Sequence, residues 1–202
     1  MIKKFYPSSL YNFLRFIQSN PVNKRILDCG AGGSDPKLAF FYENDFEAYG
    51  IDISEDQIKA AENYCKKNDI KLKIVKADMR NIPFESEFFG YVYSYLSMTH
   101  LSKNKTAQAI NEIYRVLMKE GLGYVNFLSK DDISFDENKE TKPGEIINKQ
   151  GSEVFMHSYY NDNEPDALFH DFEILYKEKR HILKGNYFNT GRTCILDYIV
   201  KK

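Results

Sequence analysis

The residues best placed to do chemistry are three aspartates, each closing a short apolar run. Ile26-Leu27-Asp28-Cys29 leads into Gly30-Ala31-Gly32-Gly33-Ser34-Asp35. A strand ending in a glycine turn lets a ligand lie against bare backbone at the start of a helix. The spacing departs from the dinucleotide fingerprint GxGxxG, whose third glycine position here is Asp35. A carboxylate there opposes a pyrophosphate over a helix start. No GxxxxGK[ST] phosphate loop occurs. Asp28 instead suits a ligand with a cationic ammonium group, met directly or through water. Asp52 closes a second run, Ala48-Tyr49-Gly50-Ile51, where a carboxylate can accept both hydroxyls of a ribose; that fits NAD and S-adenosylmethionine equally. Asp78, in Lys76-Ala77-Asp78-Met79, separates the two. It can accept from the exocyclic amine of adenine, while Met79 offers a backbone N–H and an apolar face. Three strand ends thus present an ammonium partner, a ribose partner and an adenine partner, in chain order.

These residues need a sheet to bring them together, and the chain is patterned for one. Leu10, Phe13, Leu14 and Ile17 form a helical stripe that Asn20-Pro21 stops. Arg25–Cys29 reads as a buried strand, and Asp35-Pro36 as the cap and first residue of a helix through Leu38, Phe41 and Tyr42. Residues 48–53 form a second strand, and Ser54-Glu55-Asp56-Gln57 is a capping box opening a helix through Ile58, Ala61 and Cys65. Strands follow at 71–77 and 88–94. Ser102 caps a helix with Ala107, Ile110, Ile113, Tyr114 and Leu117 inward, ended by Gly121, before a fifth strand over 123–128. Strands alternating with helices from 25 to 128 specify a parallel sheet covered on both faces. Right-handed crossovers put every strand's C-terminal end on one rim, where ligands of open α/β sheets bind. Residues 129–151 are polar and charged, read equally as a lid or as a solvated loop. Glu153–Tyr160 is extended, a short helix is expected over 166–170, and 172–183 with 192–201 forms an antiparallel hairpin through the turn residues 184–191.

The ordered motifs LDCGAGGSD, YGIDIS, KADMRNIPFESEFFGYVYSYLSMTHL and AINEIYRVLMKEGLGYVNF resemble the class I, Rossmann-like S-adenosylmethionine-dependent methyltransferases, above all the subgroup similar to ubiquinone-biosynthesis methyltransferases. The likeness covers roughly residues 22 to 128, and the terminal hairpin fits the family's reversed last strand. It implies an α/β fold with a seven-stranded, mostly parallel, doubly wound sheet, a C-terminal antiparallel hairpin and helices on both faces, in a single domain over 1–202. It implies S-adenosylmethionine as cofactor. Asp28, Gly30 and Gly32 would line its methionine end, Asp52 would hold the ribose with Ile53 against the adenine, and Asp78 and Met79 would take the adenine edge. Ser94 and Tyr95 would lie near the sulfonium. The chain departs from the family's glycine pattern at Gly33-Ser34, and its segment after the fifth strand is unusual.

Methyl transfer from a sulfonium has a good leaving group, so positioning carries much of the catalysis. A general base serves only an acceptor that loses a proton early. His100 is the candidate base, against the plainer reading that it packs or caps. Tyr159 and Tyr160, with His157, are candidates to face the substrate, or are ordinary strand residues. His170 and His181 carry no signal.

The chain has 202 residues, 43% apolar, with fifteen Tyr, fifteen Phe and no Trp, enough for one domain and one core. A net charge of −1 gives no footprint for nucleic acid or an anionic membrane. Cys29, Cys65 and Cys194 have no zinc-ligand spacing, so no metal is expected, and three buried thiols in a reducing cytoplasm is the simplest reading. The first residues lack a signal peptide's apolar core, and no apolar run is long enough to span a bilayer. The rim after the fourth strand, Ser94-Tyr95-Leu96-Ser97, lacks the Asn/Asp-Pro-Pro-Tyr pattern of amine-methylating DNA enzymes. The expected partner is therefore a small molecule. A protein methyltransferase, and a protein that binds S-adenosylmethionine without catalysis, are the alternatives.

Overall fold

The computed structural model describes residues 5–150, 153–184 and 191–202. Helices are α1 (Ser8–Gln18), α2 (Leu38–Tyr42), α3 (Glu55–Asn68) and α4 (Lys103–Val116). Strands are β1 (Arg25–Cys29), β2 (Glu47–Asp52), β3 (Lys73–Lys76), β4 (Phe89–Ser94), β5 (Leu117–Ser129), β6 (Glu140–Lys142), β7 (Glu145–Gln150), β8 (Glu153–Tyr160), β9 (Glu173–Lys184) and β10 (Gly191–Lys201). Short 3₁₀ turns cover Met98–His100, Glu137–Lys139 and Glu164–Phe169.

Seven strands form the main sheet in the order β3-β2-β1-β4-β5-β10-β9, with β1 to β5 parallel and β10 antiparallel to both neighbours. The strand order reverses between β1 and β4, which opens the crevice where such sheets take ligands. The expected seven-stranded, doubly wound α/β sheet with its terminal hairpin is the fold observed. One face packs under α1 and α2: Leu10, Phe13 and Ile17 of α1 sit with Phe41, Tyr91, Tyr93 and Tyr124, all nearly or fully buried. Each such side chain contributes about 1.5–3 kcal/mol. The other face packs under α4, where Ile110 and Ile113 meet Val92, Val125 and Phe127.

Four local expectations are corrected. α4 stops at Val116 rather than Gly121, and β5 begins at Leu117 rather than 123. Glu120, with φ +65°, and a register shift opposite Phe89/Tyr91 take up the irregularity inside the strand. α2 begins at Leu38, and Asp35 does not cap it; Lys37 is the N-cap, and Asp35 pairs with the Lys37 ammonium. Residues 129–150 are not one long loop. β6 and β7 form a hairpin, β7 pairs antiparallel with β8, and β8 joins the last two residues of β5 in parallel, Leu128 to Tyr159 and Ser129 to Tyr160. Glu140 and Lys142 sit on β6, the short edge strand, where charge opposes further pairing. Cys65 is half-buried rather than buried, and no disulfide forms. The turn expected at 184–191 lies, at 185–190, outside the described residues. Among the described residues no helix is long and apolar enough to cross a membrane.

Candidate active site

The glycine turn is held from two sides. Gly30 and Ala31 donate their N–H groups to the Ile51 carbonyl at 2.9 and 3.0 Å. Gly30 has φ +113°, and a Cβ built on it would lie 2.0 Å from Ser97 Oγ and 2.5 Å from Ser97 Cβ. Only glycine accepts both the dihedral and the contact. A Cβ on Gly32 would meet Gln57 Cβ at 2.5 Å and Asp52 Oδ2 at 2.6 Å, so this glycine lets the turn lie on α3 and on Asp52.

Asp52 ends β2 and ties three segments. Its Oδ2 accepts from the Gly32 N–H and its Oδ1 from the Ser54 N–H, each at 2.9 Å, and its carbonyl accepts from the Ala77 N–H at 3.0 Å. Ser54 Oγ accepts from the Gln57 N–H at 3.3 Å, the expected cap of α3. Ile53, next along, is 66% exposed, a large apolar side chain left beside the turn.

Asp78 lies one residue past Ala77. Its carboxylate takes the Arg80 N–H at 2.9 Å and the Arg80 guanidinium through Nε and Nη2. Those bonds hold the Asp78 carboxyl below the usual carboxylate range. The following turn is clamped onto α4. Glu112 Oε2 accepts from the Ile82 N–H, and Arg115 donates to the Ile82 and Phe84 carbonyls, each at 2.8 Å. Glu112 and Arg115, one helical turn apart, also pair with each other at 2.7 Å.

One cavity of about 400 Å³ collects these strand ends, lined by Gly30, Asp52, Ile53, Asp78, Met79 and Arg80 on one side. Leu96, Ser97, His100 and Leu101 form the other wall. Of the residues expected to hold a cofactor, Gly30, Asp52, Ile53, Asp78 and Met79 line it, and so does His100, the expected base. Gly32, Asp28, Ser94 and Tyr95 do not. Asp28 is buried beneath the turn and accepts from Tyr93 OH at 2.6 Å. Burial pushes its carboxyl up to about 7, against the Tyr93 bond; Asp52 adds to the rise and Lys37 opposes it. Ser94 Oγ, fully buried, donates to the Cys29 carbonyl at 3.0 Å and joins β4 to β1. Tyr95 is half-buried on the α1 face, its hydroxyl pushed up by burial. Tyr159 and Tyr160 are buried: Tyr160 in the core under α4, Tyr159 against Leu128, Ile146 and Phe135 with its hydroxyl 3.1 Å from Ser134 Oγ.

Sequence reasoning missed Arg80, Leu96, Ser97 and Leu101 as lining residues. Leu96, at φ +58° with its N–H on Asn126 Oδ1 at 2.8 Å, folds the loop after β4 back over Gly30. Nothing local marks that fold. The Glu112–Arg115 pair was missed as well, though its i,i+3 spacing on a helix is a signal that finds it.

Residues 26–121 match the family model of a methyltransferase domain. Sterol 24-C-methyltransferase of Clavispora lusitaniae is 33% identical over 123 residues, 58% of this chain and 31% of that protein. 27-O-demethylrifamycin SV methyltransferase of Amycolatopsis mediterranei is 32% identical over 79 residues, 38% of this chain and 29% of its own length. The chain therefore spans about a third of the curated relatives it matches. Among solved structures, a SAM-dependent methyltransferase from Methanosarcina mazei superposes with a TM-score of 0.78 at 18% identity, covering 99% of both chains. An S-adenosylmethionine-dependent methyltransferase from Clostridium acetobutylicum gives 0.68 at 16% identity, over 96% of this chain and 89% of its own.

Proposed function

The chain has the class I, Rossmann-like fold of S-adenosylmethionine-dependent methyltransferases, and from that premise we propose that it transfers the methyl group of S-adenosylmethionine to a small-molecule acceptor. The observation that carries this reading is the convergence of three successive strand ends, β1, β2 and β3, on one cavity through Gly30, Asp52–Ile53 and Asp78–Met79. Its volume of about 400 Å³ falls in the roughly 300–1,000 Å³ range of small-molecule sites. The residues fit the cofactor. Each Asp52 oxygen accepts one backbone N–H and keeps a lone pair for a ribose hydroxyl. Exposed Ile53 offers an apolar face to the adenine, and the Met79 N–H its edge. Asp78 takes the exocyclic amine once the Arg80 side chain swings aside. Asp28 answers the ammonium group from beneath the turn, and Gly32, Ser94 and Tyr95 support the methionine end.

When bound, S-adenosylmethionine supplies a methyl carbon on a positively charged sulfur, a leaving group that needs no protonation. The protein's part is to hold that carbon in line with the acceptor and to exclude water. Leu96, Ser97 and Leu101 wall the cavity, and His100 stands on the acceptor side as the base for an acceptor with a proton to lose. The small-molecule class is supported by the relatives whose names state a sterol and a rifamycin as acceptor. We place the activity in one domain over 1–202, in the cytoplasm and without a metal.

The test is calorimetric titration with S-adenosylmethionine and S-adenosylhomocysteine, with NAD as control. Micromolar binding of the first two, lost in Asp52→Ala with the fold retained by circular dichroism, is expected. Binding of NAD alone, or of none, overturns the reading.

A further inference from the structure

The strand β8 does more than extend the sheet. β8 sets His157 against His100, with ring centroids 4.9 Å apart and planes inclined by 55°. His100 is exposed and lines the cavity; His157 is half-buried behind it. In register, Ile146 of β7 lies opposite His157, and Asn148 Nδ2 of β7 lies 3.4 Å from His157 Nδ1. The titratable groups facing His157 are His100 from the turn after β4, Asp132 from the segment after β5, and Tyr159 from its own strand, 6.3 Å away. Two imidazolium rings at this spacing repel. Burial and His100 together hold His157 below the usual histidine range, with Asp132 opposing.

We propose that His157, delivered by β8, is a second imidazole of the reaction site, and that with His100 it receives the proton of a hydroxyl acceptor at the cavity mouth. The proposal rests on the methyl-transfer reading and names its acceptor class. A hydroxyl is the group for which a neutral imidazole matters, because its proton must leave as the new bond forms. The acceptor oxygen bonds to the methyl carbon while the carbon–sulfur bond breaks, and that electron pair stays on sulfur as S-adenosylhomocysteine. The hydroxyl proton passes to the histidine pair, so the products are the methyl ether, the thioether and one imidazolium.

Two measurements test it, and neither requires the natural acceptor. The first is carbethoxylation by diethyl pyrocarbonate, which attacks neutral imidazole, mapped by mass spectrometry from pH 5 to 8 against N-acetylhistidine. His157 is expected to react in the folded protein with a midpoint below the reference. In His100→Gln that midpoint rises; a rise of half a unit lowers its rate at pH 5.5 roughly threefold. The second uses 4-nitrocatechol, whose phenolate is coloured, added to the S-adenosylhomocysteine complex at pH 6. Bound probe is expected to show more phenolate than free probe, and His157→Gln and His157→Asn to lose that gain while still binding S-adenosylhomocysteine in the calorimeter. An unreactive His157, a midpoint indifferent to His100→Gln, no phenolate gain, or an equal gain in the His157 variants overturns the proposal. Failure of the wild type to bind S-adenosylhomocysteine overturns the methyl-transfer reading itself, and the calorimeter reads that separately.

Discussion

Replacing Asp28 by asparagine tests the buried carboxylate beneath the glycine turn. Asp28 is 3% exposed, and burial raises its carboxyl from the ordinary 3.8 to about 7. A carboxyl whose folded value exceeds its unfolded value binds more protons in the native state between the two. Stability therefore falls as pH rises from about 4 to about 7. The difference is 7 minus 3.8, about 3 units, and at ~1.4 kcal/mol per unit the charged form costs about 4 kcal/mol once pH exceeds 7. Asparagine keeps an oxygen for Tyr93 OH and has no charge to bury, but its amide N–H₂ adds an offset that does not change with pH. The informative quantity is thus the slope of the stability difference between variant and wild type, since other titrating groups cancel in it. Urea denaturation at pH 4, 5, 6, 7 and 8 is expected to show Asp28→Asn gaining about 1.4 kcal/mol per pH unit on the wild type between pH 4.5 and 6.5, and levelling off above 7. A difference constant to about 0.5 kcal/mol over that range would refute the burial argument. Ligand binding carries the same linkage. If Asp28 answers an ammonium group, S-adenosylhomocysteine binding tightens up to tenfold per unit from pH 5 to 6.5 in the wild type and stays flat in the variant.

Gly30→Ala forces a Cβ onto φ +113° and into Ser97, a cost of roughly 2–4 kcal/mol. Differential scanning calorimetry should show Tm lower by about 5–15 °C. Adding Ser97→Gly should restore part of the loss, because it removes the contact and not the dihedral strain. Arg115→Met removes the donor of the Phe84 carbonyl, leaves the Ile82 carbonyl with the Phe84 N–H alone, and takes the guanidinium from Glu112, which keeps the Ile82 N–H. It should cost about 2–4 kcal/mol in urea denaturation and weaken S-adenosylhomocysteine binding by loosening the turn that carries Asp78 and Met79. Unchanged affinity at reduced stability would show that the clamp does not position the site.

Chain-local information sufficed where a residue's role depends on its strand or helix alone. Asp52 and Asp78 were legible because a strand end fixes where they stand on the rim, whatever the rest of the fold does. The stripe of Leu10, Phe13 and Ile17 was legible because helical period and burial coincide there. The end of α4 was not: Leu117-Met118 suits either helix or strand, and pairing with β4 decides it. Strands β6 and β7 hid for a related reason, since their short, charge-bearing sequences read as loop until β8 supplies a ladder.

The sequence by itself determined the sheet, its rim and the order of groups along it, because hydrophobic period, glycine turns and caps act over a few residues. Tertiary structure alone decided which groups share the cavity. Ser97 reaches Gly30 only because Asn126 on β5 holds Leu96 in a left-handed turn. The turn beyond Asp78 is held only because Glu112 and Arg115 of α4 clamp Ile82 and Phe84. His157 meets His100 only because β8 adds to the end of β5. Contacts between residues far apart in the chain depend on how elements pack, and no local periodicity encodes that.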